Sequence, residues 1–169
     1  MNVQERMRLI LDSYTIDANG PQVGVRLQGN QVHVYGDVKL ASGPREIPVQ
    51  IDMVHGDFWC ESDITSLHNS PTVVTGMYNI RKVTQLANMV GGPRAVDYFS
   101  IMEGEIASLE GLPQRINGEG GLSLPYVPNL GILRVLLVQN LQDFSMHEGA
   151  TGEIDETLGN IMARYLRKG

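Results

Sequence analysis

The chain has 169 residues, enough for one domain with a substantial core, and its 42% apolar and 19% charged residues are ordinary for a globular protein. A net charge of -6 with no stripe of Lys and Arg excludes a sequence-independent grip on nucleic acid, which needs clustered cations to release phosphate counterions. The single cysteine, Cys60, excludes an intrachain disulfide, and with it a secreted stapled scaffold, so the expected location is the cytoplasm.

The first fourteen residues place Val3, Met7, Ile10, Leu11 and Tyr14 at helical spacing and predict a short amphipathic helix over 1–14. The segment carries alternating charges and lacks the apolar core of a signal peptide, so none is expected here. Next, Val23, Val25 and Leu27 alternate on one side of "QGNQ" and Val32 and Val34 on the other, which predicts a hairpin within 23–40. Over 36–124 the period lengthens to about twenty. The segments "GDVKL", "GDFWC", "GMYNI" and "YFSIM" each read as one short strand followed by an irregular arm that carries a Leu or Ile and usually a Pro.

A longer repeat overlies these rungs. Ile64, Ser66, Leu67, Pro71, Val74 and Gly76 return as Ile106, Ser108, Leu109, Pro113, Ile116 and Gly118, each 42 positions on. Stacked rungs that share one core need the same residues at the same corners, so the pattern predicts a solenoid. After Pro128, "LGILRVLLVQNL" and then the tail through Ile154, Leu158, Ile161 and Leu166 run at helical spacing, predicting helices over 128–168. The apolar run holds Arg134 and is too short to span a bilayer. The expected fold is α+β, a short leucine-rich-repeat-like β-solenoid of stacked strands, one domain over 1–169, capped by an N-terminal helix and C-terminal helices.

The run from "GDVKLASGPREIPVQIDMVHGDFWCESDITSLHNSPTVVTG" through "IASLEGLPQRING" to "LGILRVLLVQNLQDF" resembles leucine-rich-repeat-like proteins of tailed bacteriophages, whose rungs follow G-D-F-x-C-x-x-x-x-L-T-S-L-x-G-x-P-x-x-V-x-G. The resemblance covers roughly residues 32–144 and departs in the middle, where three extra residues lie between Leu86 and Pro93. It implies a phage origin and an interaction scaffold, and it brings no catalytic residues.

Chemistry-bearing residues are sparse. His33, His55, His68 and His147 have no helical metal spacing and read as surface or turn histidines. Cys60 holds an apolar strand position and reads as a buried structural thiol. "GEGGLS" at 118–123 lacks the Lys and the following helix of a phosphate loop and reads as a turn. The carboxylates of "ESD" at 61–63 and of "GEIDE" at 152–156 have no histidine partner and read as solvated or capping groups. No cofactor, metal site or catalytic residue is expected.

Strand alternation sorts the faces. Val38 and Leu40, Phe58 and Cys60, and Tyr78 and Ile80 point inward, leaving Asp37, Lys39, Asp57, Trp59, Met77 and Asn79 outward. Carrying the 42-residue offset into the third rung sets Ser100 and Met102 inward and Phe99 and Ile101 outward, whereas hydrophobicity alone argues the reverse; the offset is preferred. The outer face would then carry Trp59, Met77, Phe99 and Ile101, edged by Asp57, Arg81 and Lys39, either open to a partner or covered by residues 130–141. The expected function is non-enzymatic: binding of a bacterial host or defence protein through this face, so as to inhibit or redirect it, with no nucleic acid or membrane as partner. The alternative is a structural or self-assembling homo-oligomer.

Overall fold

A computed structural model describes residues 1–108 and 110–125; the helices expected over 128–168 lie outside the described residues, as do Leu109 and residues 130–141. Among the described residues one helix, α1 (Val3–Ser13), precedes ten strands: β1 (Thr15–Asp17), β2 (Gly24–Gln28), β3 (Gln31–Tyr35), β4 (Asp37–Leu40), β5 (Met53–His55), β6 (Phe58–Ile64), β7 (Val73–Val74), β8 (Met77–Leu86), β9 (Ala95–Ile106) and β10 (Arg115–Ser123). They form one continuous sheet in the order β1-β4-β6-β8-β9-β7-β5-β3-β2, with β10 also paired to β9. All the ladders from β3 and β4 onward are parallel; only β1 and β2, at the start, pair antiparallel. The expected solenoid-like stack is therefore present.

Each rung differs from the expectation in one respect. It carries two strand segments, not one: β5 before β6, β7 before β8, and the two halves of β9 around the same corner. Strands of two or three residues such as β7 and β5 are too short to show alternation in a sequence.

The corner between the segments explains the recurring "GD". Gly56 has φ +155, and a Cβ there would lie 2.5 Å from the Gly36 carbonyl oxygen and 2.7 Å from Asp37 Oδ1, so only glycine fits. The following aspartates bridge rungs. Asp37 Oδ1 accepts from Asn19 Nδ2 at 2.6 Å and from the Asp57 amide at 2.9 Å; Asp57 Oδ1 accepts from the Met77 amide at 2.8 Å. Each carboxylate thus holds an amide of the next rung with a charge-assisted hydrogen bond.

Inside the corner the register sets Val38, Phe58, Tyr78 and Phe99 one above another. The rings of Phe58 and Tyr78 stack at 5.3 Å and 10°, those of Tyr78 and Phe99 at 5.2 Å and 14°. These separations follow from the roughly 4.8 Å spacing of paired strands. Tyr14 closes the stack edge-on against Phe58, and its hydroxyl donates to the Val49 carbonyl at 2.8 Å. The Tyr78 hydroxyl is paired with Ser70 Oγ at 2.7 Å, so no polar atom is stranded in the stack. Desolvation by burial keeps both phenols neutral and pushes their pKa values above the ordinary tyrosine value, opposed by the hydrogen bonds to Val49 and Ser70.

The expected N-terminal helix is capped by Asn2 and Glu5 in a reciprocal box, each amide donating to the other's side chain at 2.9 Å. It buries Ile10 against the core, and Arg6 fastens it to the first arm through an ion pair of 2.5 Å to Asp52. The hairpin expected around "QGNQ" is the β2–β3 pair, closed by Gly29 and Asn30.

The arms reveal what the 42-residue repeat is. Val54 stacks on Val74, and Thr72 and Arg94 continue the same ladder to Gln114, so Val54 and Val96 lie two rungs apart. Ser66 Oγ accepts the His68 amide at 3.0 Å, and Ser108 Oγ accepts the Glu110 amide at 3.2 Å. In the rung between them Asn88 Oδ1 accepts the Val90 amide at 3.0 Å, and Met89 is buried as Leu67 is. The middle rung keeps the turn with different residues.

If the corner carboxylates hold the rungs in register, Asp57→Ala should lower the unfolding free energy by about 1.5–3 kcal/mol. Asp57→Asn, which keeps an acceptor, should lose less. Urea denaturation midpoints at unchanged slope measure both.

Candidate partner-binding face

The outer face of β4, β6, β8 and β9 is built in rows by the parallel register. One row is Lys39, Trp59, Asn79 and Ser100; the row toward the corner is Asp37, Asp57, Met77 and Tyr98. Trp59 stands at the centre and is 37% exposed. Asn79 beside it is nearly buried and donates to Met77 Sδ at 3.7 Å.

The third rung corrects the sequence expectation. Phe99 and Ile101 are 0% exposed and stack in the core on Tyr78 and Ile80, whereas Met102 is 61% exposed. Ser100 is nearly buried, but it belongs to the outer row of Trp59 and Asn79. The apolar members of the face are thus Trp59, Met77, Tyr98 and Met102. The reason is a short corner. Three residues separate Val54 from Phe58 and Val74 from Tyr78, but only two, Asp97 and Tyr98, separate Val96 from Phe99. The Gly76 carbonyl takes both of their amides, at 3.1 and 3.4 Å, where earlier corners use a glycine and a carboxylate. Phe58 to Phe99 therefore spans 41 positions, one fewer than the repeat, and a one-residue slip exchanges the faces of a strand. An irregularity between Val83 and Leu86 of β8, where Gln85 has φ +50, precedes the Leu86–Ile106 pairing.

The expected rim divides by role. Asp57 belongs to the inter-rung bonds described above. Lys39 Nζ pairs with Glu61 at 2.8 Å, with both side chains half exposed. Arg81 is exposed and borders an open groove of about 440 Å³ in which Arg45, Arg81 and Lys82 face Glu61, Asp63 and Glu103. Three bases against three acids leave no net attraction for an anion or a cation. Asp63 accepts from the Thr84 hydroxyl at 2.6 Å and Ser62 Oγ donates to the Ala41 carbonyl at 2.7 Å, so the "ESD" groups are held in structural contacts. A second groove, about 490 Å³, runs along the arms past Thr72, Arg94 and Gln114 and holds one ionisable group, Arg94.

Cys60 is buried, and burial raises its pKa to about 11, opposed by the Ser62 carbonyl contact; the thiol is not a nucleophile at neutral pH. The "GEGGLS" stretch is strand backbone in β10, parallel to β9, and not the expected turn. The segment at 152–156 lies outside the described residues. No group of three or more His, Cys, Asp or Glu gathers as metal ligands among the described residues, and none of their helices is long and apolar enough to cross a membrane.

One cluster escaped the sequence reading. His33 Nδ1 and His55 Nε2 meet at 3.0 Å on the outer side of β3 and β5. Tyr35 stacks on His55 at 4.2 Å and 8°, and the Arg26 guanidinium lies 5.1 Å over the Tyr35 ring. A spacing of 22 residues carries no signal until the rung register is known. Comparison with protein-family models, with curated proteins and with solved structures finds no match to this chain.

Desolvation, and then the neighbouring His33, lowers the pKa of His55. The unfolded chain therefore takes up the proton more readily than the folded one. Stability is full above the ordinary imidazole value of about 6.5 and declines as pH falls through the depressed value. Urea midpoints measured from neutral pH downward should fall, and His55→Gln should flatten that fall.

Proposed function

We propose that the chain is a non-enzymatic protein-binding module encoded by a tailed bacteriophage, which inhibits or redirects a bacterial host or defence protein by covering part of its surface. The observation that carries the reading is the part-exposed Trp59, with Met77 on the next strand, Tyr98 and Met102 on the strand beyond it on the same face, and the charged Lys39 and Arg81 beside them. A large aromatic set among polar rim residues dominates many interfaces. The rung motif supports the bacterial class of partner through its resemblance to phage proteins. Against catalysis stand the inert Cys60 and the structural engagement of the carboxylates at 61–63. The cytoplasm of the bacterial host belongs to the same proposal.

Immobilised wild-type chain, Trp59→Ala and Val90→Ala, the last an exposed residue on the arm side, should be compared for capture from bacterial lysate and then for affinity with the purified captured protein. Trp59→Ala should weaken binding by about 2 kcal/mol or more, roughly thirtyfold, with Val90→Ala unchanged. Equal affinity for Trp59→Ala would assign binding to a different surface.

A further inference from the structure

We propose that His33 and His55 chelate a copper(II) ion on the outer side of β3 and β5, with the Met53 thioether as an axial donor.

The three residues are brought together by the rung register. Strands β3 and β5 are neighbours in the sheet, and their parallel pairing sets His33 beside Met53 and Tyr35 beside His55. Residues two apart on a strand share a face, so both histidines, Met53 and Tyr35 project from the same side. The imidazoles reach diagonally across the pair until His33 Nδ1 and His55 Nε2 are 3.0 Å apart. Among the described residues neither ring's other nitrogen is hydrogen-bonded to protein. Each neutral ring can therefore carry its hydrogen on that outer nitrogen and turn the lone pair of the inner one toward a shared ion.

The surroundings suit a cation held there. His33 is buried and His55 half-buried, so one ring is anchored and the other can adjust. Tyr35 stacks on His55 at 4.2 Å and 8° and fixes the plane of that ring, while its own hydroxyl is engaged by the Gln28 amide. Arg26 comes from β2, on the opposite side of β3 from β5, and lies over Tyr35 with its guanidinium bonded to Gln22. The tyrosine ring thus stands between this charge and His55.

The choice of copper follows from the donors and their spacing. Two nitrogens each about 2.0 Å from one ion lie about 3 Å apart when held at roughly a right angle, the cis arrangement of a tetragonal ion. Copper(II) adopts that geometry, binds nitrogen sites more tightly than the other divalent first-row ions, and accepts a long axial thioether. Methionine is flexible enough to supply one from the neighbouring position. No carboxylate belongs to the set, so it does not serve calcium or magnesium, which take oxygen ligands. An ion shared by β3 and β5 ties the hairpin to the next rung, and binding to the folded chain alone raises its stability.

Titration of copper(II) into the full-length, untagged chain tests the inference, with electron paramagnetic resonance reading the donors. One tight equivalent should bind, show hyperfine structure from imidazole nitrogen, and raise the urea midpoint. His55→Gln should raise the dissociation constant at least about tenfold and abolish the midpoint shift, with an unchanged circular dichroism spectrum. His68→Gln, at an exposed position on an arm, should bind as the wild type does. Met53→Leu should weaken binding less than His55→Gln, and wild-type affinity in that variant would contradict the axial role. Copper held equally well by His55→Gln, a signal without nitrogen hyperfine structure, or tighter binding of nickel(II) or zinc would overturn the inference.

Discussion

A single kind of bond organises this molecule: the carboxylate at a rung corner that accepts an amide of the next rung. Asn19, Asp37, Asp57 and Met77 form a staircase of such bonds, each placed where a glycine lets two backbones approach. A rung of about twenty residues buries too little apolar surface to stand alone, so its stability comes from its neighbours. The corner bonds fix the height and phase at which neighbours meet. The aromatic stack of Phe58, Tyr78 and Phe99 and the outer rows through Trp59 are both consequences of that phase.

Where the staircase ends, the phase changes. Past Met77 there is no further Gly-Asp pair, and the corner at Asp97 and Tyr98 is closed by one carbonyl. The shortened corner keeps Phe99 on the aromatic stack at the expense of the repeat. Burying a ring against Tyr78 is worth several kilocalories per mole, on the order of 3, whereas exposing Met102 forfeits less because methionine adapts to partial burial. The outer face gains Tyr98 and Met102 as a result, and that is the surface on which the proposed function rests.

Much of this architecture is legible in the sequence. The amphipathic spacing of Val3, Met7, Ile10 and Tyr14 and the alternation around "QGNQ" each encode a local physical requirement, and each lies where expected; the recurring Gly-Asp marks the rungs in the sequence, and its role as a corner comes from the structure. Ser66 and Ser108 mark equivalent turns in the same way. The orientation of the third rung was not legible from the repeat because a lost corner residue leaves the motif intact on both sides. Hydrophobicity alone points to the buried Phe99 and Ile101, against the constant offset. Asn88 and Met89 conceal the middle turn, since a carboxamide and a thioether do the work of a hydroxyl and a leucine there. The His33–His55 contact joins neighbouring strands 22 residues apart and depends wholly on register. Of the candidate site, Trp59, Met77, Lys39 and Arg81 could be read from alternation, while Tyr98 and Met102 required the corner.

The orientation of that third rung is the claim on which the outer face depends, and native-state thiol labelling addresses it directly. Cys60 is buried with a raised pKa and serves as a silent internal control. In Met102→Cys the new thiol should react at the rate of an exposed cysteine, and in Ile101→Cys only when the protein unfolds. Rapid labelling at position 101 with protection at position 102 would contradict the account and return the third strand to the phase of the 42-residue repeat.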